Sequence, residues 1–181
     1  MFGLDQRKYR NGHYAFFLKR RLSFKVSCAL RRNKSNRFSV VDYGAITTNA
    51  GTPFERRLEL IYDDLNLLMG KFHPEAMSIE KLFYNTNAKT VIDVAQARGV
   101  TVLAAKKNNI PIFEYTPLQV KQSVVGYGRA EKKQVQEMTR IILKLAKIPK
   151  PDDTADALAM AICHAHASGS LMGKLNSMGI R

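Results

Sequence analysis

One stretch constrains this chain more than any other. Residues 151–163 read PDDTADALAMAIC, and beyond Asp156 the segment is apolar almost all round. A helix of that composition has no face to give to water, so it must be covered by the rest of the fold. Its start nevertheless carries three aspartates. Asp153 and Asp156 stand three apart and share one helical face. Acids in a first turn cap free N–H groups and suit the helix dipole, which accounts for Asp152 or Asp153. Asp156 is harder to dismiss, because the helix after it is built for burial. Two carboxylates on one face repel unless something positive lies between them, so capping and metal binding both stay open on these residues alone.

The rest of the chain supplies the cover. FSVVDYGAITT (38–48) is β-branched and aromatic and predicts a strand. Thr52-Pro53 opens a helix whose apolar positions Phe54, Leu58, Ile61, Leu65, Leu68 and Met69 recur at helical spacing to about Phe72. A short strand follows at 76–82. A helix from Asn87 to about Lys107 has Val91, Ala95 and Val102 facing inward. IPIFEY (110–115) is a compact apolar strand, and Pro117 starts a short helix that ends at the glycine-bearing loop GYGRA. Residues 131–146 form a helix with Val135, Met138, Ile142 and Leu145 inward, and IPKPDD links it to the last helix, Asp153 to Ala167. Strands alternating with helices indicate an α/β domain with an at least partly parallel sheet.

At 181 residues this is one domain, with 45% hydrophobic and 24% charged residues, a soluble globular balance. No apolar run approaches the roughly 18 residues that span a bilayer, and no signal-peptide pattern opens the chain. Cys28 and Cys163 are too few for a disulfide scaffold and lack metal-type spacing, which fits a reducing cytoplasm. The net charge of +14 suggests a polyanionic partner. Residues 1–37 hold 11 Lys/Arg against Asp5 alone, a net of +10, whereas residues 38–181 hold 18 against 14 acids, a net of +4. The first fifth of the chain therefore differs in character from the rest.

Asp63, Asp64, Glu75, Glu131 and Glu137 have polar or basic neighbours and read as solvated charge. Glu80 is different. It follows Met77 and Ile79 and precedes Leu82 and Phe83, inside or at the end of a strand that should be buried, so it needs a cation or a basic partner. Glu80, Asp153 and Asp156 together are three hard oxygen ligands of the kind Mg²⁺ prefers. That set points to phosphodiester hydrolysis, in which paired divalent ions about 3.5–4 Å apart clamp the attacking and leaving oxygens. His164 and His166, two apart on a helix, face different ways and read as packing. GYGRA is too short and wrongly placed for a phosphate-binding loop.

Four segments carry a family resemblance: SIEKLFYNTNAKT, ARGV, IPIFEYTPLQVKQSVVGYGRAEKKQVQEM and PKPDDTADALAMAICHAH. Through them residues 38–168 resemble RuvC, the bacterial endonuclease that resolves Holliday junctions. The resemblance implies a ribonuclease H-like fold, with a mixed five-stranded sheet flanked by helices on both faces. It also implies a homodimer and a site of four carboxylates binding Mg²⁺, two per subunit, or Mn²⁺. By position, Glu80, Asp153 and Asp156 match three of those acids. Phe83 matches an aromatic implied to stack on unpaired bases near the junction centre, an interaction worth about 1–3 kcal/mol per base. Lys121 and Lys132 match lysines near the cleaved phosphate. The implied partners are four-way junction DNA and the RuvA and RuvB branch-migration proteins.

The chain departs from the family at its start. The fourth carboxylate should come from an N-terminal strand of the form G-(Ile/Leu)-D-P-G. Here FGLD makes Asp5 the match, but Gln6-Arg7 replaces Pro-Gly, and the family pattern is absent to about Asn36. Residues 1–37 are thus an altered N-terminal segment, 38–168 the nuclease domain and 169–181 a patternless tail. Two readings of the altered segment stay open: disrupted first strands, or substitute strands formed by FFLKRRLSFKVSCAL. The expected activity is paired nicking of four-way junctions during recombination and repair. The alternative is a relative that binds junctions without cutting them.

Overall fold

The computed structural model describes residues 15–18, 24–32, 38–49, 51–81 and 88–169. Within them the chain runs β1 (Ala15–Leu18), β2 (Phe24–Arg32), β3 (Phe38–Thr47), α1 (Phe54–Phe72) and β4 (Ala76–Glu80). It continues through α2 (Ala88–Lys107), β5 (Ile112–Tyr115), α3 (Pro117–Val125), α4 (Lys132–Ile142) and α5 (Asp152–Gly169). The predicted alternation from residue 38 onward is present. Strands β1 and β2 lie in the segment whose family pattern is altered.

The strands form two hydrogen-bonded groups among the described residues. One is a parallel sheet in the order β1-β4-β5, and the other is the antiparallel pair β2-β3. Strand β2 lies against β1, but no ladder joins the two groups among the described residues. The expected mixed five-stranded sheet is therefore seen as three strands plus two. Strand β1 has four residues, in register Ala15↔Ala76 to Leu18↔Ile79 against β4. That is a short edge on which to extend a ladder.

Two apolar cores lie on opposite sides of the strands. One joins Ile61, Leu65, Met69 and Phe72 of α1 to Ala104 and Ala105 of α2, with Met77 and Ile79 of β4 and Ile46 of β3. The other gathers α3, α4 and α5 around Leu158, Met160 and Ile162, with Phe38, Val40 and Ala45 of β3 against it. Strand β3 serves both cores by means of a bulge. Asp42 pairs with Ala29 and Val40 with Leu30, so Val41 is an extra residue. An extra residue resets the two-residue alternation of a strand. Hence Phe38 and Val40 before it, and Ala45 after it, all reach the same core, while Val41 and Ile46 reach the other.

Helix α5 is the element the sequence said must be covered. Residues 157–163 are all buried, Leu158 and Ile162 fully, and the helix touches every strand as well as α3 and α4. Helix α2 corrects one expectation. Ala95 is exposed rather than inward, and the buried positions are Ala97, Thr101, Ala104 and Ala105. Apolar residues occupy nearly every face of this helix, so periodicity gave no preference, and the small side chains won the packed face. Ile92 and Leu103 are left 66% and 51% exposed.

A polar latch joins β5 to α5. The Tyr115 hydroxyl lies 2.9 Å from Nδ1 of buried His164, and Phe113 packs on the same imidazole with ring centroids 4.6 Å apart. Burial pushes the Tyr115 phenol up to about 12, with the nearby Cys163 adding to it.

Two outcomes follow for stability. Leu158→Ala should lower the unfolding free energy by about 2–5 kcal/mol in urea titrations, because the site has no room to collapse. A phenol with a raised folded pKa contributes stability that is present below its unfolded pKa of about 10 and lost as pH rises through about 12. Stability of the parent chain should therefore fall more steeply between those two pH values than that of Tyr115→Phe, by on the order of 2 kcal/mol. Parallel pH profiles for the two proteins would refute the burial argument.

Candidate active site

Strand β4 is buried from Ala76 to Ile79 and ends on the half-buried Glu80. The amide of Lys81 donates to the Tyr115 carbonyl at 2.9 Å, so the ladder to β5 holds both sides of Glu80. Helix α5 crosses β4, and this crossing brings Asp156 to the same cavity as Glu80. The long apolar face of α5 thus fixes where its acidic first turns sit.

The opposite wall comes from α3 and α4. Thr116 caps α3 by accepting from the Gln119 amide at 3.1 Å, and the Gln119 side chain accepts from the Thr116 amide at 2.8 Å. Pro117 stands at the first helical position, where its missing N–H costs nothing. Lys121 follows one turn later. The helix stops at Gly126, whose φ of 94° suits glycine. Two residues on, a Cβ at Gly128 would fall on the Leu118 side chain, so this close approach turns the chain back toward α4. There the Glu131 amide donates to Gln134 at 2.8 Å, and Lys132 is the first residue of the helix.

The resulting cavity has a volume of about 190 Å³. Glu80 and Asp156 supply its carboxylates, Lys121 and Lys132 its cations, and Val120, Val135 and Met160 are among its apolar lining. Lys132 Nζ lies 3.9 Å from Asp156 Oδ2 and 3.2 Å from Asp152 Oδ2. Asp152 also accepts from Lys150 Nζ at 2.7 Å on its other oxygen. The Lys150 hydrogen bond, followed by that of Lys132, holds the Asp152 carboxyl down to about 2. The Asp156 side chain is 18% exposed, against 52% for Lys132.

Four of the residues singled out from sequence, Glu80, Lys121, Lys132 and Asp156, therefore line one cavity. Asp153 is half-buried in the first turn of α5 but is not in that lining. Among the described residues no three His, Cys, Asp or Glu side chains gather closely enough to hold a metal ion together. Asp5 and Phe83 lie outside the described residues. Strand β1, paired with β4, has the sequence AFFL and brings no acid. The acids read as solvated, Asp63, Asp64, Glu75, Glu131 and Glu137, are all exposed.

Two features escaped the sequence reading. The Tyr115–His164 pair joins residues 49 apart, a separation that local pattern cannot bridge. Asp152 was assigned to helix capping, yet its oxygens meet two lysines. The only local signal was Lys150, two residues ahead.

The chain resembles known proteins in both sequence and fold. The sequence profile of the family "Crossover junction endodeoxyribonuclease RuvC" matches residues 23–164. The chain is 61% identical over 142 residues to the RuvC endonuclease of Ruminiclostridium cellulolyticum, covering 77% of this chain and 86% of the relative. It is 54% identical to that of Clostridioides difficile, covering 81% and 86%. The fold is similar to that of Thermus thermophilus RuvC, with a TM-score of 0.75, 26% identity and coverage of 87% and 93%. A second structure of the Thermus protein, in complex with a Holliday junction substrate, gives a TM-score of 0.76 at 24% identity, covering 89% and 96%. The chain belongs to the RuvC family of crossover junction endodeoxyribonucleases.

Proposed function

We propose that this chain is a metal-dependent, structure-selective endonuclease that resolves Holliday junctions by paired nicks during DNA recombination and repair. One observation carries the reading: two carboxylates, Glu80 and Asp156, and two lysines, Lys121 and Lys132, meet at one cavity in a chain 61% identical to a RuvC relative.

The donor set fits a divalent cation. Glu80 and Asp156 offer hard oxygens at a common cavity, and Asp153 precedes Asp156 by three residues on the same helix. These three would hold Mg²⁺, with Mn²⁺ as the other candidate, two ions per subunit, and Asp5 as the fourth ligand. When bound, the metal supplies a Lewis acid for the phosphate and an activated water. The chain's own residues do the rest. Lys121 and Lys132 bring positive charge to the scissile phosphate, and the apolar lining limits competing water. Phe83 would stack on unpaired bases. The basic excess of residues 1–37 adds sequence-independent affinity for DNA, steeply dependent on salt.

Two active sites in a homodimer would give paired nicks. The exposed Ile92 and Leu103 of α2, eleven residues apart and so on one helical face, offer apolar side chains to such an interface. The five strands would then complete the ribonuclease H-like sheet of the family, and the enzyme would work in the cytoplasm with RuvA and RuvB.

The deciding experiment incubates the purified chain and a synthetic four-way junction with Mg²⁺, beside a gel shift in EDTA. Symmetric nicks are expected, and binding without cutting would instead make the chain a junction-binding relative. Asp156→Asn should reduce cleavage more than about 100-fold while the EDTA gel shift is kept. Cleavage that survived this change would remove Asp156 from the metal site. Leu103→Glu should shift the chain to monomer by light scattering and uncouple the two nicks; an unchanged mass would place the dimer surface elsewhere.

A further inference from the structure

Asp152 is the one acid of the PDDTAD run that the family resemblance leaves without a part. Its surroundings give it one. Each oxygen of its carboxylate holds a different lysine: Oδ1 accepts from Lys150 Nζ at 2.7 Å, and Oδ2 lies 3.2 Å from Lys132 Nζ. The Lys132 ammonium is in turn 3.9 Å from Asp156 Oδ2. Lys132 is thus suspended between an acid outside the cavity lining and an acid within it. A lysine has four rotatable bonds and, at 52% exposure, ample freedom to leave the cavity mouth. The second anchor limits that freedom.

We propose that Asp152 is a positioning residue for Lys132. It holds the ammonium at the rim of the cavity, beside Asp156, where an incoming phosphate can take it over. Lys150 shares the load on Asp152: its bond to Oδ1 leaves Oδ2 as the oxygen available to Lys132. Asp152 itself touches no substrate and acts only through this lysine. A purely structural role at the start of α5, as a cap or a charge against the helix dipole, would be independent of Lys132. That difference is measurable. The inference rests on the reading of Lys132 as a phosphate contact, so its test includes an arm that needs no cleavage.

The test is a double-mutant cycle of Asp152→Asn and Lys132→Ala in the full chain, read two ways. In the first, single-turnover cleavage of a four-way junction with Mg²⁺, Asp152→Asn alone should slow cutting about twofold to fivefold, the range expected of exposed ion pairs. Added to Lys132→Ala, it should change nothing further. Asp152→Glu, which keeps the carboxylate, should recover part of the rate. In the second, junction binding in EDTA across a salt series, the two substitutions should again be non-additive. Equal effects of Asp152→Asn in both backgrounds, in both readings, would overturn the proposal and leave Asp152 a helix cap. Should the parent bind but not cut, the proposed activity fails while the binding cycle still decides the role of Asp152. Because the Asp152 side chain is 44% exposed, Asp152→Asn should lower the melting temperature only slightly; a large fall would likewise count for a structural role.

Discussion

The structure depends on the burial of one helix. Helix α5 offers almost nothing to water after its first turns, and it is satisfied only where strands, α3 and α4 surround it. That requirement sets the layer order of the domain, because the sheet must pass beneath α5 and two further helices must flank it. It also sets the site. The acidic start of α5 is delivered to the end of β4 by the same packing that buries Leu158 and Ile162. The position of Asp156 relative to Glu80 is therefore a consequence of core packing.

Charge on the finished domain is arranged by contrast more than by total. The cavity pairs two carboxylates with two lysines, so its local balance is nearly even in a strongly basic chain. The surplus of positive charge lies elsewhere in sequence, in residues 1–37.

Much of this was legible in the sequence, and the reasons differ by element. Strands β3, β4 and β5 and helices α1 to α5 showed through apolar period and turn chemistry, signals confined to a few consecutive residues. Glu80 and Asp156 were conspicuous because an acid among buried neighbours needs an explanation. The facing of α2 was not legible, since a helix apolar on all sides leaves the choice to its neighbours, and Ala95 lost to Ala97 and Ala104. The bulge at Val41 was hidden because a strand that serves two cores shows no clean alternation. Basic residues follow β1 and lie within β2, which masks the β signal of Phe16 or Val26. Asp152 could not be assigned because its decisive partner, Lys132, arrives from another helix.

The two walls of the cavity differ in stiffness. The acids ride on β4 and α5, the most deeply embedded elements, whose backbones move only if the core moves with them. The lysines ride on α3 and α4, and Lys132 reaches the cavity through a long, half-solvated side chain. One wall is an anvil and the other a spring. A nucleic acid with several chain directions at a crossing does not present its phosphates in one fixed pose. The compliant side can follow the backbone of such a substrate, while the rigid side keeps the reactive oxygens where they were built.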